Sequence, residues 1–262
     1  MIQSLYSARS ALQRAAIIVA VIIQIGATFL PQLGLGEPIG QRSDSVRTLI
    51  TPAGWAFAIW GPLFLGSAIY AFWQAFPAQK SNELLDRVGW LSVGALASQG
   101  IWAIYTQFAN LTAISALIIA FSLACLLAII RILVTFERAF TGAERWIVGL
   151  TFSALAAWLT AATIVNVSAT LAYYGLGGDG AYPLVAAAIV LTGGIIAAFA
   201  VARSQGNPWF AAVFAWALLA IFMRGGQASV AIAAACVVSG VLVLSATFLS
   251  LRYPAARSRW IG

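Results

Sequence analysis

The chain has 262 residues, of which 62% are hydrophobic and 8% are charged, and its mean hydropathy is +0.96. Soluble domains carry about 25% charged residues, so this composition excludes soluble, secreted disulfide-rich and disordered proteins. The expected fold class is all-α: a polytopic bundle of membrane-spanning helices surrounded by the lipid bilayer.

The residue types that are scarce exclude several kinds of chemistry. Histidine is absent, which removes the commonest general base and the usual zinc or haem ligand. No acidic residue lies within a predicted span, so the sequence predicts no buried carboxylate, no enzyme, no catalytic residues and no metal site. Cys125 and Cys236 each lie in an apolar run, as small buried hydrophobes do. The basic residues are scattered among short loops, so we expect no nucleic-acid partner.

Eight apolar runs are candidates to cross a bilayer, which takes about 20 residues at a rise of about 1.5 Å per residue. They are residues 15–33, 53–76, 88–108, 111–134, 146–173, 182–202, 208–223 and 229–251. The seventh run is short, and a tight turn is required between the third and the fourth.

The charges of the loops predict an orientation. If the N-terminus is inside, eleven basic residues lie on the inner side and three, Arg42, Arg47 and Arg224, lie on the outer side. The positive-inside rule predicts this asymmetry. We therefore expect both termini in the cytoplasm and the protein in a bacterial inner membrane.

The first loop and the second span have unusual sequences. Residues 34–51 form a long polar loop that is expected to fold over the outer mouth of the bundle. Pro52 precedes the second helix, where a missing N–H costs nothing, whereas Pro62 is expected to bend the helix. Trp60 and Phe64, four residues apart, share one helical face.

Four of the ten tryptophans, Trp60, Trp102, Trp158 and Trp216, lie deep in predicted spans, where lipid offers no partner to an indole N–H. Gln99, Trp102 and Thr106 fall within about 60° of one another on the third span. On the fifth span Trp158, Asn166 and Tyr173 share one arc. Two explanations stay open: polar contacts between helices, or an aromatic-lined ligand pocket.

The entry to the second span resembles the TspO/MBR family, the tryptophan-rich sensory proteins and translocator-protein relatives. The family pattern Pro-x-Gly-Trp-x-Phe-x-x-x-Trp is matched by Pro52, Gly54, Trp55, Phe57 and Trp60. Its third-helix Asn-x-x-Trp is similar to Gln99 through Trp102, with Gln in place of Asn. Its fifth-helix Trp-x-x-x-Ala-x-x-x-Asn is similar to Trp158 through Asn166.

The resemblance implies a five-helix core in residues 1–175, followed by three additional transmembrane helices in residues 176–262, as in a longer branch of the family. It implies a membrane binding or sensory protein whose hydrophobic ligand is a porphyrin, another tetrapyrrole or a sterol, bound non-covalently with no cofactor required. The candidate ligand-binding residues, from the motifs and the shared helical faces, are Pro52, Gly54, Trp55, Trp60, Phe64, Gln99, Trp102, Trp158, Asn166 and Tyr173.

An alternative function is a small-molecule transporter that uses all eight spans. Its second half would have to contribute to the pocket, and the candidates there are Trp216, Arg224 and Gln227. The sequence also leaves open a homodimer or a subunit of a larger membrane complex.

Overall fold

The computed structural model describes residues 9–176 and 182–262, and within these it is all-α, as expected. The ten α-helices of the described residues are α1 (Ala11–Gly26), α2 (Ile39–Ser45), α3 (Trp60–Ala75), α4 (Glu83–Ala109), α5 (Ala113–Thr135), α6 (Leu150–Tyr173), α7 (Pro183–Arg203), α8 (Pro208–Ile221), α9 (Val230–Leu251) and α10 (Pro254–Trp260).

Short 3₁₀ and π segments extend several of these helices. A 3₁₀ segment at Ala27–Leu33 continues α1, another at Gly54–Ile59 leads into α3, and a third, Pro77–Gln79, follows α3. A π-helical turn at Glu144–Gly149 leads into α6, and a second, Phe222–Gly226, continues α8. With its extension, each continuous helical stretch is longer than the α-helix alone.

Seven of the helical stretches in the described residues are long and apolar enough to cross a membrane. They are Ala11–Leu33, Gly54–Ala75, Ala113–Thr135, Glu144–Tyr173, Pro183–Arg203, Pro208–Gly226 and Val230–Leu251. Each coincides with a predicted run to within a few residues. The short seventh run is lengthened by its π-helical turn.

The third predicted span, now α4, is not among these seven stretches. At 27 residues it is long enough to cross a membrane, but its polar residues make it less apolar than the others. Ser92, Ser98, Gln99, Thr106 and Gln107 are all buried, because α4 packs along α1 and α5. Seven helical stretches of the described residues are thus long and apolar enough to cross a membrane. That α4 also crosses it remains a prediction.

Pro62 is the third residue of α3, which follows the 3₁₀ segment Gly54–Ile59 without a break. A proline inside such a continuous helical stretch offers no N–H to the carbonyl one turn before it. The change from the 3₁₀ to the α-helical pattern falls two residues before Pro62, and the bend expected at Pro62 stays a prediction.

The helix α6 is the most deeply buried of the seven, and it contacts α3, α5 and α8. Helices α7 and α9 pack closely against each other, with Gly194 directly against Ser239. Helix α10 lies at the end of the bundle that carries Arg9, called the terminal end below. There the buried Trp260 Nε1 donates to the Ser204 carbonyl at 2.9 Å.

The terminal end also contains a buried carboxylate, which the sequence did not predict. Glu144 is fully buried, and its carboxylate pairs with Arg138 at 2.6 Å and accepts from Asn82 Nδ2 at 3.0 Å. The prediction of no buried carboxylate was wrong because the π-helical turn that leads into α6 starts at Glu144, two residues before the apolar run. Arg138 folds back and neutralises the charge of Glu144. Since its hydrogen-bond donors, Asn82 and the Thr141 N–H, and its countercharge, Arg138, all lie at the terminal end, this carboxylate serves the packing of the terminal end.

Candidate functional site

A cavity of about 470 Å³ lies at the opposite end of the bundle, called the loop end because residues 34–51 are there. Its lining comes from the end of α1, the start of α3, the second half of α4, and the 34–51 segment, with one residue from the C-terminal helices. The lining residues are Gln24, Thr28, Pro31, Gln32, Pro38, Ile39, Gly40, Ser43, Asp44, Gly54, Phe57, Trp60, Gly61, Phe64, Gln99, Trp102, Ala103, Gln107 and Arg224.

Helix α1 and the 3₁₀ segment that continues it contribute polar side chains that the sequence analysis did not single out. Gln24 lies in α1, and Thr28 and Gln32 lie in the 3₁₀ segment; all three line the cavity. Polar residues at i, i+4 and i+8 in an otherwise apolar run were the sequence signal that could have revealed them.

Aromatic rings form another part of the lining. Trp60 and Phe64 stack with ring centroids 5.1 Å apart. Trp158, which does not itself line this cavity, lies nearly perpendicular to Trp60 and Phe57, with centroid distances of 6.0 Å and 6.3 Å. Offset-stacked and T-shaped pairs at these distances stabilise each other beyond their buried area. The rings are therefore held in fixed relative positions around the cavity.

A second, smaller cavity of about 50 Å³ lies next to the first, and we call it the inner chamber. It is lined by Ile39, Ser43, Pro52, Phe57, Trp102, Leu111, Trp158, Ala161, Ala162, Val165, Asn166, Ala217 and Ile221. Ile39, Ser43, Phe57 and Trp102 line both cavities, so the two spaces adjoin.

Several buried polar atoms of the lining residues have no hydrogen-bond partner within the described part of the chain. They are Gln24 Oε1, Gln107 Oε1, Trp102 Nε1, Trp158 Nε1 and Asn166 Nδ2. A buried polar group without a partner costs about 1–3 kcal/mol. Their concentration around two adjoining cavities marks this region as the candidate site.

Gln99, in contrast, serves contacts between helices. Its Oε1 accepts from Gln24 Nε2 at 2.7 Å, while its Nε2 donates to the Ala95 carbonyl and lies 3.3 Å from Ser122 Oγ. These bonds join α1, α4 and α5. Of the two explanations that the sequence left open, interhelical hydrogen bonding accounts for Gln99, although its side chain also lines the larger cavity.

The segment 34–51 covers the cavity and is tied to the end of α4; we call it the lid segment. The Gln107 carbonyl accepts from the Glu37 N–H at 3.0 Å and from Arg42 Nη2 at 3.0 Å. Gly36 has φ +72°, and a Cβ there would lie 3.1 Å from Gln107. A side chain at position 36 would be strained for both reasons.

The C-terminal helices hold the other side of the lid segment. Arg224 donates to Asp44 at 2.8 Å and to the Pro52 carbonyl at 3.0 Å. The hydrogen bond from Arg224 lowers the pKa of Asp44 below its usual range. Trp216 Nε1 adds a bond to the Ala56 carbonyl at 3.1 Å. Arg224, in the π-helical turn after α8, thus ties the lid segment to the C-terminal part of the chain, and Trp216 of α8 ties the 3₁₀ segment before α3 to it.

Eight of the ten predicted site residues line a cavity. The larger cavity is lined by Gly54, Trp60, Phe64, Gln99 and Trp102, and the inner chamber by Pro52, Trp102, Trp158 and Asn166.

Two of the predicted residues line neither cavity. Trp55 is 44% exposed and packs edge-on against Trp216, and Tyr173 is 45% exposed at the end of α6, against Tyr174. Of the C-terminal candidates, Arg224 lines the larger cavity, whereas Trp216 bonds to Ala56 in the 3₁₀ segment before α3, and both Trp216 and Gln227 lie outside the two cavities. The polar side chains of the lining that the sequence analysis missed are Gln24, Thr28, Gln32, Ser43, Asp44 and Gln107. The fold of the lid segment and the packing of α1 and its 3₁₀ extension against α4 decide their positions.

The fold and this site together define a class of protein: a polytopic helical membrane protein with an aromatic-lined cavity under a covering loop. A family model described as TSPO-like protein matches residues 10–249. The chain therefore belongs to the TSPO-like protein family. Searches of curated proteins and of solved structures gave no match.

Proposed function

We propose that this protein is a membrane binding or sensory protein for a flat hydrophobic molecule. The observation that carries the proposal is the larger cavity, whose aromatic rings face polar residues of α1 and α4. Its volume of about 470 Å³ is within the range of about 300–1,000 Å³ that is typical of small-molecule sites. Stacking on Trp60 and Phe64 would supply affinity, and the amides would orient the ligand.

The ligand class that fits best is a porphyrin or another tetrapyrrole, with a sterol-like molecule as the second choice. Flat rings stack well on indole and phenyl faces. Since the chain has no histidine, the usual axial ligand of a haem iron is missing, and binding would be metal-independent and non-covalent. In this proposal the protein is not an enzyme and requires no cofactor; its role is sensing or regulation.

The proposal is tested by titrating the purified protein in detergent with protoporphyrin and following the quenching of tryptophan fluorescence. The double variant Trp60→Ala, Trp102→Ala should weaken binding by about ten-fold or more, because it removes two rings of the cavity. Dissociation constants, not amplitudes, are compared, since the variant has fewer fluorophores. Trp90→Ala is the control, because Trp90 is 53% exposed on the same helix α4. Equal affinities of the double variant and the control would reject the proposal.

A second candidate function, transport, has one specific observation in its favour. The C-terminal helices contribute Arg224 to the larger cavity and Ala217 and Ile221 to the inner chamber. A transporter that uses both halves of the chain would need such a contribution. Uptake of protoporphyrin into proteoliposomes that contain the protein, and its loss in Trp60→Ala, would favour transport; binding without uptake would favour sensing.

We further propose that both termini lie in the cytoplasm of a bacterial cell, with the lid segment on the outer side. The basis is the distribution of the basic residues. Labelling of single cysteines introduced at exposed positions of the lid segment and of α10, with a reagent that does not cross the membrane, tests this orientation. A homodimer or a larger membrane complex would be detected by co-purification in mild detergent.

A further inference from the structure

We propose that the inner chamber binds a neutral hydrogen-bond acceptor of the ligand, a carbonyl oxygen, while the ring system of the ligand occupies the larger cavity. This inference rests on the proposed function and specifies which end group the ligand carries. It assigns Trp102 and Trp158 as the residues that recognise this group.

The unpaired polar atoms on residues that line the inner chamber are hydrogen-bond donors. The indole N–H groups of Trp102 and Trp158 have no partner among the described residues. These two residues are 8% and 3% exposed. An indole nitrogen is a donor only. Both residues line the inner chamber, so their unpaired donors favour a ligand group with an acceptor oxygen, and a carbonyl oxygen, unlike a hydroxyl, accepts without bringing another donor.

Asn166 adds to this pattern. Its Oδ1 accepts from Ser115 Oγ at 3.0 Å, which leaves Nδ2 unpaired. The residue is 2% exposed and lines the inner chamber. With the amide in this orientation, Asn166 Nδ2 is a third unpaired hydrogen-bond donor on the residues that line the inner chamber.

The second argument is charge. All residues that line the inner chamber are neutral. An ionised carboxylate placed there would lose its hydration without gaining a countercharge, which is far more costly than burying a carbonyl group. The chamber therefore favours a ketone, ester or amide oxygen over a free carboxylate. Its size supports the same choice, since about 50 Å³ accommodates an end group and not a ring system.

The third argument is the position of the chamber. Trp102 lines both cavities, so a ligand whose rings lie against Trp60 can extend an end group past Trp102. An unpaired indole alone does not make a site: Trp209 Nε1 is also unpaired, but Trp209 lines neither cavity. It provides the matched control.

The test uses three porphyrins with the same macrocycle: protoporphyrin dimethyl ester, which has neutral ester carbonyls; etioporphyrin, which has none; and protoporphyrin with ionised carboxylates. Binding to the full chain in detergent is followed by porphyrin absorbance. We expect the ester to bind about three- to ten-fold more tightly than etioporphyrin, as one added hydrogen bond would give. The ionised form should bind no more tightly than the ester.

The variants locate the effect. Trp158→Phe keeps an aromatic ring against Phe57 and Trp60 but removes the N–H, so it should bring the affinities for ester and etioporphyrin to within about two-fold. Trp102→Phe should do the same and replaces Trp158→Phe if that variant does not fold. Trp209→Phe should leave the wild-type difference intact.

The outcomes separate the two proposals. If the ester and etioporphyrin bind equally to the wild type, or if their difference survives in both pocket variants, the inference about the inner chamber is wrong and the proposed function stands. If none of the three porphyrins binds, the porphyrin-binding function itself is rejected, and the inference fails with it.

Discussion

At the terminal end of the bundle, α3, α4 and α6 meet on Tyr70, which is fully buried, bonds to Ser92 Oγ at 2.9 Å and packs edge-on against Phe152 at 4.8 Å. At the loop end the same three helices contribute Trp60, Trp102 and Trp158 to two adjoining cavities. The aromatic residues at the two ends thus lie on the same helices; in α3, for example, Tyr70 follows Trp60 by about three helical turns.

The difference lies in whether the polar atoms are paired. Tyr70 and Gln74 at the terminal end have hydrogen-bond partners: Gln74 Nε2 donates to the Arg14 carbonyl, and its Oε1 accepts from Arg9. The indoles of Trp102 and Trp158 have none within the described residues. Burial of a polar aromatic residue is therefore common to both ends, and the proposed site rests on unpaired polar atoms of residues that line a cavity.

The largest expected effect comes from overpacking the terminal end. A Cβ on Gly89 would collide with the amide of Gln13, so Gly89→Leu should displace this buried side chain and break its hydrogen bonds with Arg9 and with the Asp86 carbonyl. We expect a loss of about 1–3 kcal/mol of stability or more, measured by thermal unfolding in detergent. Gly240→Leu is the control, because a Cβ there meets nothing within 4 Å. Equal melting temperatures of the two variants would contradict the close packing.

A leucine at the loop end should affect binding and not folding. Gly61 lines the larger cavity, and a Cβ on it meets nothing within 4 Å. Gly61→Leu should therefore keep the wild-type melting temperature, while its side chain takes up space in the cavity and lowers protoporphyrin affinity by about ten-fold. Unchanged affinity in a stable variant would show that the ligand does not occupy this cavity.

The reverse result is expected for Tyr70. Tyr70→Phe removes the hydroxyl that bonds to Ser92 and keeps the ring against Phe152. It should cost about 0.5–1.5 kcal/mol of stability and leave protoporphyrin affinity within about two-fold. An effect on affinity as large as that of Gly61→Leu would remove the distinction between the two ends.

The smallest effect concerns the lid segment and pH. Arg224 lowers the pKa of Asp44, so the ion pair contributes fully above the ordinary aspartate pKa of about 3.9 and is lost as pH falls through the lowered value. Because Asp44 is 52% exposed, the contribution is small. Residues 34–51 should exchange amide hydrogens faster in Asp44→Asn than in the wild type at neutral pH.

The control for this prediction is the same pair of proteins at acid pH. When Asp44 is protonated the wild type resembles Asp44→Asn, so the difference in exchange should shrink below about pH 4. A difference that persists unchanged after Asp44 has become protonated would mean that the charge of Asp44 does not hold the lid segment.

The sequence by itself determined the all-α fold and the positions of the helices, because apolar runs of about 20 residues and the prolines and asparagines at their ends are local signals. It also identified Trp60, Trp102, Trp158 and Asn166, since an indole or amide deep in a span requires a polar neighbour or a cavity. Only the tertiary structure decided that Gln99 is used between helices, that Glu144 is buried against Arg138, and that Arg224 reaches Asp44. These outcomes depend on contacts between residues that are far apart in the chain, or on helix ends that lie outside the apolar runs. The helical period in a sequence indicates on which face of a helix a side chain lies, but it does not say which residue packs against that face.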